Sequence, residues 1–333
     1  MNVRVRRAPS PSRLLTPTPS PPPGPTSFSP PYEGQVRVRA RPYAHPMRAC
    51  SDLGLVRRLG WLTETVHAVV YFAPEPRVAY EQLGLRGFWR GYFAGRCAAL
   101  GPVGPDLAAA VLGGFAPTMV ARAIPEVWQI ATPAEVLTAR TRAATAALGR
   151  LLPPDSADQV VTAAELTNRC IKALDVPGRP MAAAHRQVAR PADPVGALWH
   201  DVTVLREHRG DGHLIALAAA GLVWPEPHLL IVDRLDPAQQ AHRGWTDEQW
   251  TVAASRIHHH DLAAIDDATD RLAAAAYDIL TPQERAALAT ALLPLAAAAA
   301  AQLPYPNAMG LPDVTRNAGP PRATLGSPPD STS

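Results

Sequence analysis

The sequence predicts a mainly α protein, and three observations carry that expectation. Thr132-Pro133-Ala134-Glu135 and Thr281-Pro282-Gln283-Glu284 each read as a capping box with proline at the first helical position, and Thr246-Asp247-Glu248-Gln249 is a third box without proline. Apolar residues recur at a helical period in several stretches, as at Leu55, Leu59, Leu62, Val66, Val69 and Val70. No Asn-Gly or Asp-Gly pair sits between alternating hydrophobics, and β-branched runs are few, so hairpins are not expected.

Residues 1–46 hold 12 of the 37 prolines, interspersed with Ser, Thr and Arg and lacking any hydrophobic period. Such a segment cannot bury enough apolar surface to order itself, so disorder is expected. One reading has translation start at Met47, with the extension an upstream artefact; the other has an Arg/Pro-rich arm that touches nucleic acid or a partner. The extension carries seven arginines against the single acid Glu33, a net +6, and the whole chain is only +3, which leaves −3 for residues 47–333. A near-neutral body has no general electrostatic footprint for a phosphate backbone. One lysine, Lys172, stands against 31 arginines, the residue usage of a GC-rich genome rather than of a nucleic-acid binder.

The three cysteines, Cys50, Cys97 and Cys170, are far apart and form no CxxC, which argues for a reducing cytoplasm and against a disulfide scaffold or cysteine zinc site. No apolar run is long enough to span a membrane. The signatures GxSxG, GxxxxGKS/T, HExxH and a βα-opening GxGxxG are all missing.

In order along the body, residues 53–83 read as a helix interrupted at Pro74-Glu75-Pro76, with His67 on or beside its apolar face. Gly87, Gly91 and Gly95 recur at every fourth position among Phe88, Trp89, Tyr92 and Phe93. That spacing fits either close helix packing or an aromatic ligand wall. Leu229-Leu230-Ile231-Val232 reads as a short buried helix. His258-His259-His260 reads as an exposed loop, because helical neighbours point about 100° apart and make poor metal ligands. The tail after Pro304, rich in Pro, Gly, Ser and Thr, is expected to be disordered.

The polar stretch is Leu198 to Leu222, LWHDVTVLREHRGDGHLIALAAAGL. Arg209-Gly210-Asp211-Gly212 reads as a tight turn between two core-facing helices, with Asp211 capping the second and Gly221 ending it. His200, Thr203 and Glu207 share a face of the first helix, Arg206 projects from another flank, and His208, Arg209, Asp211 and His213 crowd the turn. The cluster is either a small-molecule pocket or a structural network closing a corner, with Glu207 paired to Arg206 or Arg209. A metal on His67, His200, His208 or His213 would require the fold to gather them, so none is assigned, and no cofactor is implied.

A weak echo links Trp89 to Trp199 and Arg96 to Arg206 at one offset of 110 residues. It suggests two copies of a helix-turn-helix-like unit fused as an internal pseudo-dimer, with domains at 47–190 and 191–303.

TVHAVVYFAPE at 65–75, LGLRGFWRGYFAGR at 83–96, GRPMAAAH at 178–185, LWHDVTVLREHRGDGH at 198–213 and GWTDEQW at 244–250 resemble the actinobacterial SalK-like family of helix-turn-helix proteins, thought to descend from MarR-type regulators. The resemblance covers roughly residues 53–302 and implies winged-helix units of MarR-related form. Under that mapping His213–Gly221 is the first helix of a helix-turn-helix and Glu226–Arg234 its recognition helix. That helix offers His228 and Arg234 for DNA and is otherwise mostly apolar, poorly suited to base readout. The β-hairpin wing expected after Trp250 has no counterpart in the sequence.

Two functional readings follow. One is a cytoplasmic, regulator-like protein binding a small organic ligand through His67, His200, Thr203, Arg206, Glu207, His208, Arg209, Asp211 and His213, with Trp89, Tyr92 and Trp199 as the apolar wall. The other is an enzyme on a repurposed regulator fold, using His208 or His213 as base, oriented by Glu207 or Asp211.

Overall fold

The computed structural model describes residues 52–231, 243–257 and 261–304, together with Asn307, Leu311 and Asp313. The expected disorder at 1–46, the histidine run at 258–260, Arg234 and almost all of the tail lie outside the described residues. Within them every regular element is a helix and no strand occurs, so the protein is mainly α.

The chain forms α1 (Leu53–His67), α2 (Val69–Phe72), α3 (Pro74–Gln82), α4 (Phe88–Cys97), α5 (Pro105–Leu112), α6 (Pro117–Ala121), α7 (Val127–Ile130), α8 (Pro133–Leu151), α9 (Ala157–Ala173), α10 (Pro180–Arg186), α11 (Pro194–Ala219), α12 (Glu226–Leu229), α13 (Asp247–Arg256), α14 (Leu262–Ala274) and α15 (Pro282–Ala300). All three capping boxes form, at the starts of α8, α13 and α15. The interruption expected at Pro74 is present: α2 ends at Phe72, Ala73 is extended, and Pro74 begins α3, where its missing N–H costs nothing.

Two apolar cores result. The larger one joins α1, α9, the first half of α11 and α15 through residues such as Leu59, Leu198, Val202, Leu288 and Leu292. The second gathers Phe93, Phe115, Ile124 and Val127 from α4 to α7 and the turns between them. Gly91 and Gly95 serve packing: a Cβ at Gly91 would lie 2.6 Å from the Tyr80 ring, and one at Gly95 would strike Tyr80 Oη.

The turn expected at residues 209–212 is not there. α11 runs unbroken through them, and Gly210 and Gly212 are not among the glycines with positive φ. Three of the four residues of the would-be turn have a tertiary task instead. Arg209 lies over Gly60 of α1 and donates to Asp270 of α14 at 2.8 Å. Asp211 caps no following helix; it accepts from the Ala182 amide at 2.9 Å and so seats the start of α10. Gly212 leaves room for Arg179, which donates to the carbonyls of His208 and Leu272 at 2.6 and 2.8 Å. α11 packs against α1, α8, α9, α10 and α14, and every residue from Gly196 to Leu205 is buried, so tertiary contact overrides the local cost of two glycines. The helix does stop at Gly221, which has φ 75° and follows the end of α11.

The expected recognition helix is also absent in that form. His213–Ala219 is the last part of α11, and α12 is a single turn. Nor is Leu229–Val232 a buried helix, since α12 ends at Leu229 and residues 229–231 are half-buried. A helix, a four-residue turn and a helix do occur in order at α5 and α6, joined through Gly113 and Gly114, both at positive φ.

A continuous α11 makes a checkable pair of substitutions. Nothing lies within 4 Å of a Cβ placed on Gly210, whereas one on Gly212 would meet Arg179 Nη1 at 2.8 Å. In urea unfolding, Gly210→Ala should stabilise by about 0.5–1 kcal/mol and Gly212→Ala should destabilise by about 1 kcal/mol or more. A turn at 209–212 would make Gly210→Ala destabilising.

Candidate functional site

The centre of the site is Glu207, 1 % exposed, on α11. A carboxylate that deep needs cationic partners, and two arginines share its Oε2: Arg206 Nη1 at 2.9 Å and Arg96 Nη2 at 3.0 Å. Arg96 comes from α4 and is itself buried. Arg206 turns its Nε to Glu64 of α1, at 2.9 and 3.0 Å from the two carboxylate oxygens. Burial alone would raise the Glu207 pKa, but the charges of Arg206 and Arg96 outweigh it and hold the group well below the usual carboxylate range. A second ring of charge lies on α14, where buried Asp270 pairs with Arg57 and Arg209.

These rings border a cleft of about 480 Å³. Its polar floor includes Glu64, Arg96, Arg206, Glu207, Arg209 and Asp211; its apolar wall includes Leu112, Phe115, Leu214, Leu217 and Trp224, with Trp61 and Tyr92 beside the arginines. Two polar atoms at the floor are buried without a hydrogen-bond partner, Arg96 Nε and Glu207 Oε1. Arg96 and Glu207 thus carry spare hydrogen-bonding capacity of opposite kind, a donor and an acceptor.

Of the residues singled out in the sequence, Tyr92, Arg206, Glu207, Arg209, Asp211 and His213 line this cleft. Glu207 pairs with Arg206 and not with Arg209, which has Asp270. His200 faces away: its ring nitrogens meet Asp201 at 2.9 Å and the Val188 carbonyl at 3.0 Å. Thr203 bonds back to the Trp199 carbonyl. His67 stacks on Trp199 with ring centroids 5.7 Å apart, in the core, and Trp89 packs against Phe93 and Phe115. His208 is buried behind the helix, 2 % exposed. His228 does line the cleft, but it is 4 % exposed and donates to the Gly114 carbonyl at 2.8 Å, so it presents no base-reading group.

No hydrogen bond or ion pair among the described residues joins His208 or His213 to Glu207 or Asp211, the pairing that the enzymatic reading needs. His213 meets Thr269 at 3.1 Å, and Asp211 holds Ala182. Nor is any group of three His, Cys, Asp or Glu among the described residues placed to hold a metal ion.

Sequence reasoning missed Glu64, Asp270 and Trp61, which come from helices far along the chain. It noted Arg96 only through the 110-residue offset, and that offset was the one local sign that Arg96 and Arg206 are related. In the structure both guanidiniums reach one carboxylate.

Burial sets the titration behaviour of the histidines. Desolvation lowers His67 well below 6.5, brings His185, His208 and His228 down to about 3 and His213 to about 4. All five stay neutral when folded and take up protons when unfolded, so their contribution is intact above pH 6.5 and is lost as pH falls through and below it. Each costs about 1.4 kcal/mol of stability one unit below 6.5. Asp211, pushed up to about 6 by burial, acts in the opposite sense, binding its proton more readily when folded. Unfolding free energy measured by urea titration should therefore fall steeply from pH 6.5 to 5, with net proton uptake on unfolding; a flat profile over that range would contradict neutral buried histidines.

A sequence profile described as a helix-turn-helix family matches residues 56–306, well over half of the chain. No curated protein and no solved structure matches it. Together with the all-helical body, that match means that the chain belongs to the helix-turn-helix family.

Proposed function

We propose that this is a regulator-like protein whose cleft binds a small organic molecule with an aromatic body and an anionic or hydrogen-bonding end. The observation that carries the reading is Arg96: buried at the floor of the cleft, with its Nε donor unmatched. An unmatched buried donor costs about 1–3 kcal/mol, which a ligand acceptor recovers. The cleft volume of about 480 Å³ suits a small ligand, and its walls supply aromatic and aliphatic surface. Arginine pairs readily with planar oxyanions.

The family makes DNA the natural target of such a regulator. In the described residues the α5–α6 pair has the order of a helix-turn-helix, and its outward residues Pro117, Thr118, Ala121 and Arg122 carry a single charge. DNA contact is therefore the secondary part of the proposal. A MarR-type ancestry and an internal pseudo-dimer also belong to it, supported by the motif wording and by the shared offset of Trp89/Trp199 and Arg96/Arg206. Catalysis by the 200–213 cluster is not part of it, because the base and its orienting carboxylate are not joined.

The test is a titration of the full chain with 1-naphthoate, followed by quenching of the cleft residues Trp61 and Trp224, with the neutral 1-naphthalenemethanol as comparison. The acid should bind more tightly than the alcohol, and Arg96→Met should weaken it at least tenfold, about 1.4 kcal/mol, while Arg122→Met leaves it unchanged. Equal binding by wild type and Arg96→Met would overturn the assignment of the floor.

A further inference from the structure

Asp211 is an acid on the floor of the cleft, 4 % exposed, one turn after Glu207 on the same face of α11. No ion pair among the described residues includes it. We propose that Asp211 is the counter-charge for a protonated amine, so that the cleft takes an amphoteric aromatic molecule of the amino-acid class. This rests on the small-ligand reading of the cleft and gives that ligand a second charged group.

The charges around the floor are otherwise matched. Arg96 and Arg206 pair with Glu207, Arg206 also with Glu64, Arg209 with Asp270, and Arg57 with Asp267 and Asp270. Arg179, just before α10, attracts Asp211 from a distance but donates to the His208 and Leu272 carbonyls. Burial, and a repulsion from Glu207 that outweighs the attraction of Arg179, push the Asp211 carboxyl up to about 6. The histidines of α10 and α11 offer no cation, since burial keeps His185, His208 and His213 neutral. At pH 7 Asp211 is therefore an ionised, buried carboxylate without a paired cation, a state that a ligand cation relieves.

The hydrogen bonds agree. Asp211 accepts at Oδ2 from the Ala182 amide at 2.9 Å, with the Met181 amide close by, and both are neutral donors. Glu207 Oε1, one turn earlier, is buried without a hydrogen-bond partner, and His185 Nε2 stands 4.0 Å from it. Two carboxylates on one helical face thus have acceptor capacity left over. An ammonium carries three donors and no acceptor, which suits that pair better than a hydroxyl does.

Placement gives the class. Side chains four apart on a helix have Cβ atoms only about 5–6 Å apart, and Arg96 reaches Glu207 from α4. An acid group at Arg96 and an amine beside Glu207 and Asp211 are then close neighbours, as they are in an amino acid. Leu214 and Leu217 continue α11 beyond Asp211 and, with Trp224 and Phe115, give the aromatic body its apolar wall.

The experiment is calorimetric titration of the full chain with 3-(1-naphthyl)-L-alanine and with 3-(1-naphthyl)propionate, the same molecule without its amine. At pH 7.5 the amino acid should bind about tenfold more tightly or better, the effect of one charge-assisted hydrogen bond. In wild type that advantage should shrink toward pH 5.5, because a protonated Asp211 no longer attracts an amine. Asp211→Asn, which keeps an acceptor for the Ala182 amide, should lose the advantage and bind the propionate more tightly than wild type does, since a negative charge has left the floor. If Asp211→Asn does not fold, the wild-type pH profile decides. Propionate binding as tight as that of the amino acid, or an advantage equal at both pH values, overturns the amine and leaves the cleft a site for an acid alone. Binding of neither compound overturns the cleft reading and the amine with it.

Discussion

The structure depends on one buried carboxylate. Glu207 lies where the two apolar cores meet, and it can be ionised there only because Arg96 and Arg206 converge on its Oε2. Arg206 sits beside it on α11 and reaches on to Glu64 of α1, within the larger core. Arg96 arrives from α4, whose Phe93 belongs to the other core. The same ion pair that neutralises Glu207 therefore ties the two cores together. Removing either partner would leave a charge stranded in a low-dielectric seam, which costs far more than a surface pair is worth.

The cleft follows from that arrangement. Arginines at a seam cannot pack as tightly as Leu or Val, and their fixed forks leave some donors unmatched, here Arg96 Nε above all. The apolar side of the cleft is made by Leu112 and Phe115, which belong to or pack on the second core, and by the last turns of α11 and Trp224, which form a separate small cluster. A polar floor under aromatic and aliphatic walls is the arrangement expected of a small-ligand site. The five neutral histidines around it belong mostly to the support, not to the floor: His67 and His185 are buried behind Arg140, Arg96 and Glu207, and His208 is enclosed on the far side of α11.

Much of the helical frame was legible in the sequence because its signals are local. A threonine, a proline and a glutamate at fixed spacing satisfy the first amides of a helix whatever surrounds it, and all three capping boxes form. Gly221 likewise ends α11 by its own backbone freedom. The stretch 209–212 misled because two glycines and an aspartate favour a turn when nothing else acts on them. Here Arg179, Ala182 and Asp270 act on them, from 29 to 61 residues away, and no local pattern reports that. The site shows the same division. Glu207 and Arg206 stood out as neighbours in a polar segment, whereas Arg96, 111 residues away, could be linked to them only through a faint repeat.

The account stands or falls on the coupling between Arg96 and Glu207. A double-mutant cycle on unfolding free energy with Arg96→Met, Glu207→Gln and the pair measures it directly. Each single variant should lose about 3–5 kcal/mol, and the pair should lose less than the sum by more than about 1.5 kcal/mol. Additive losses would mean that the two side chains act independently and that this ion pair does not join the cores.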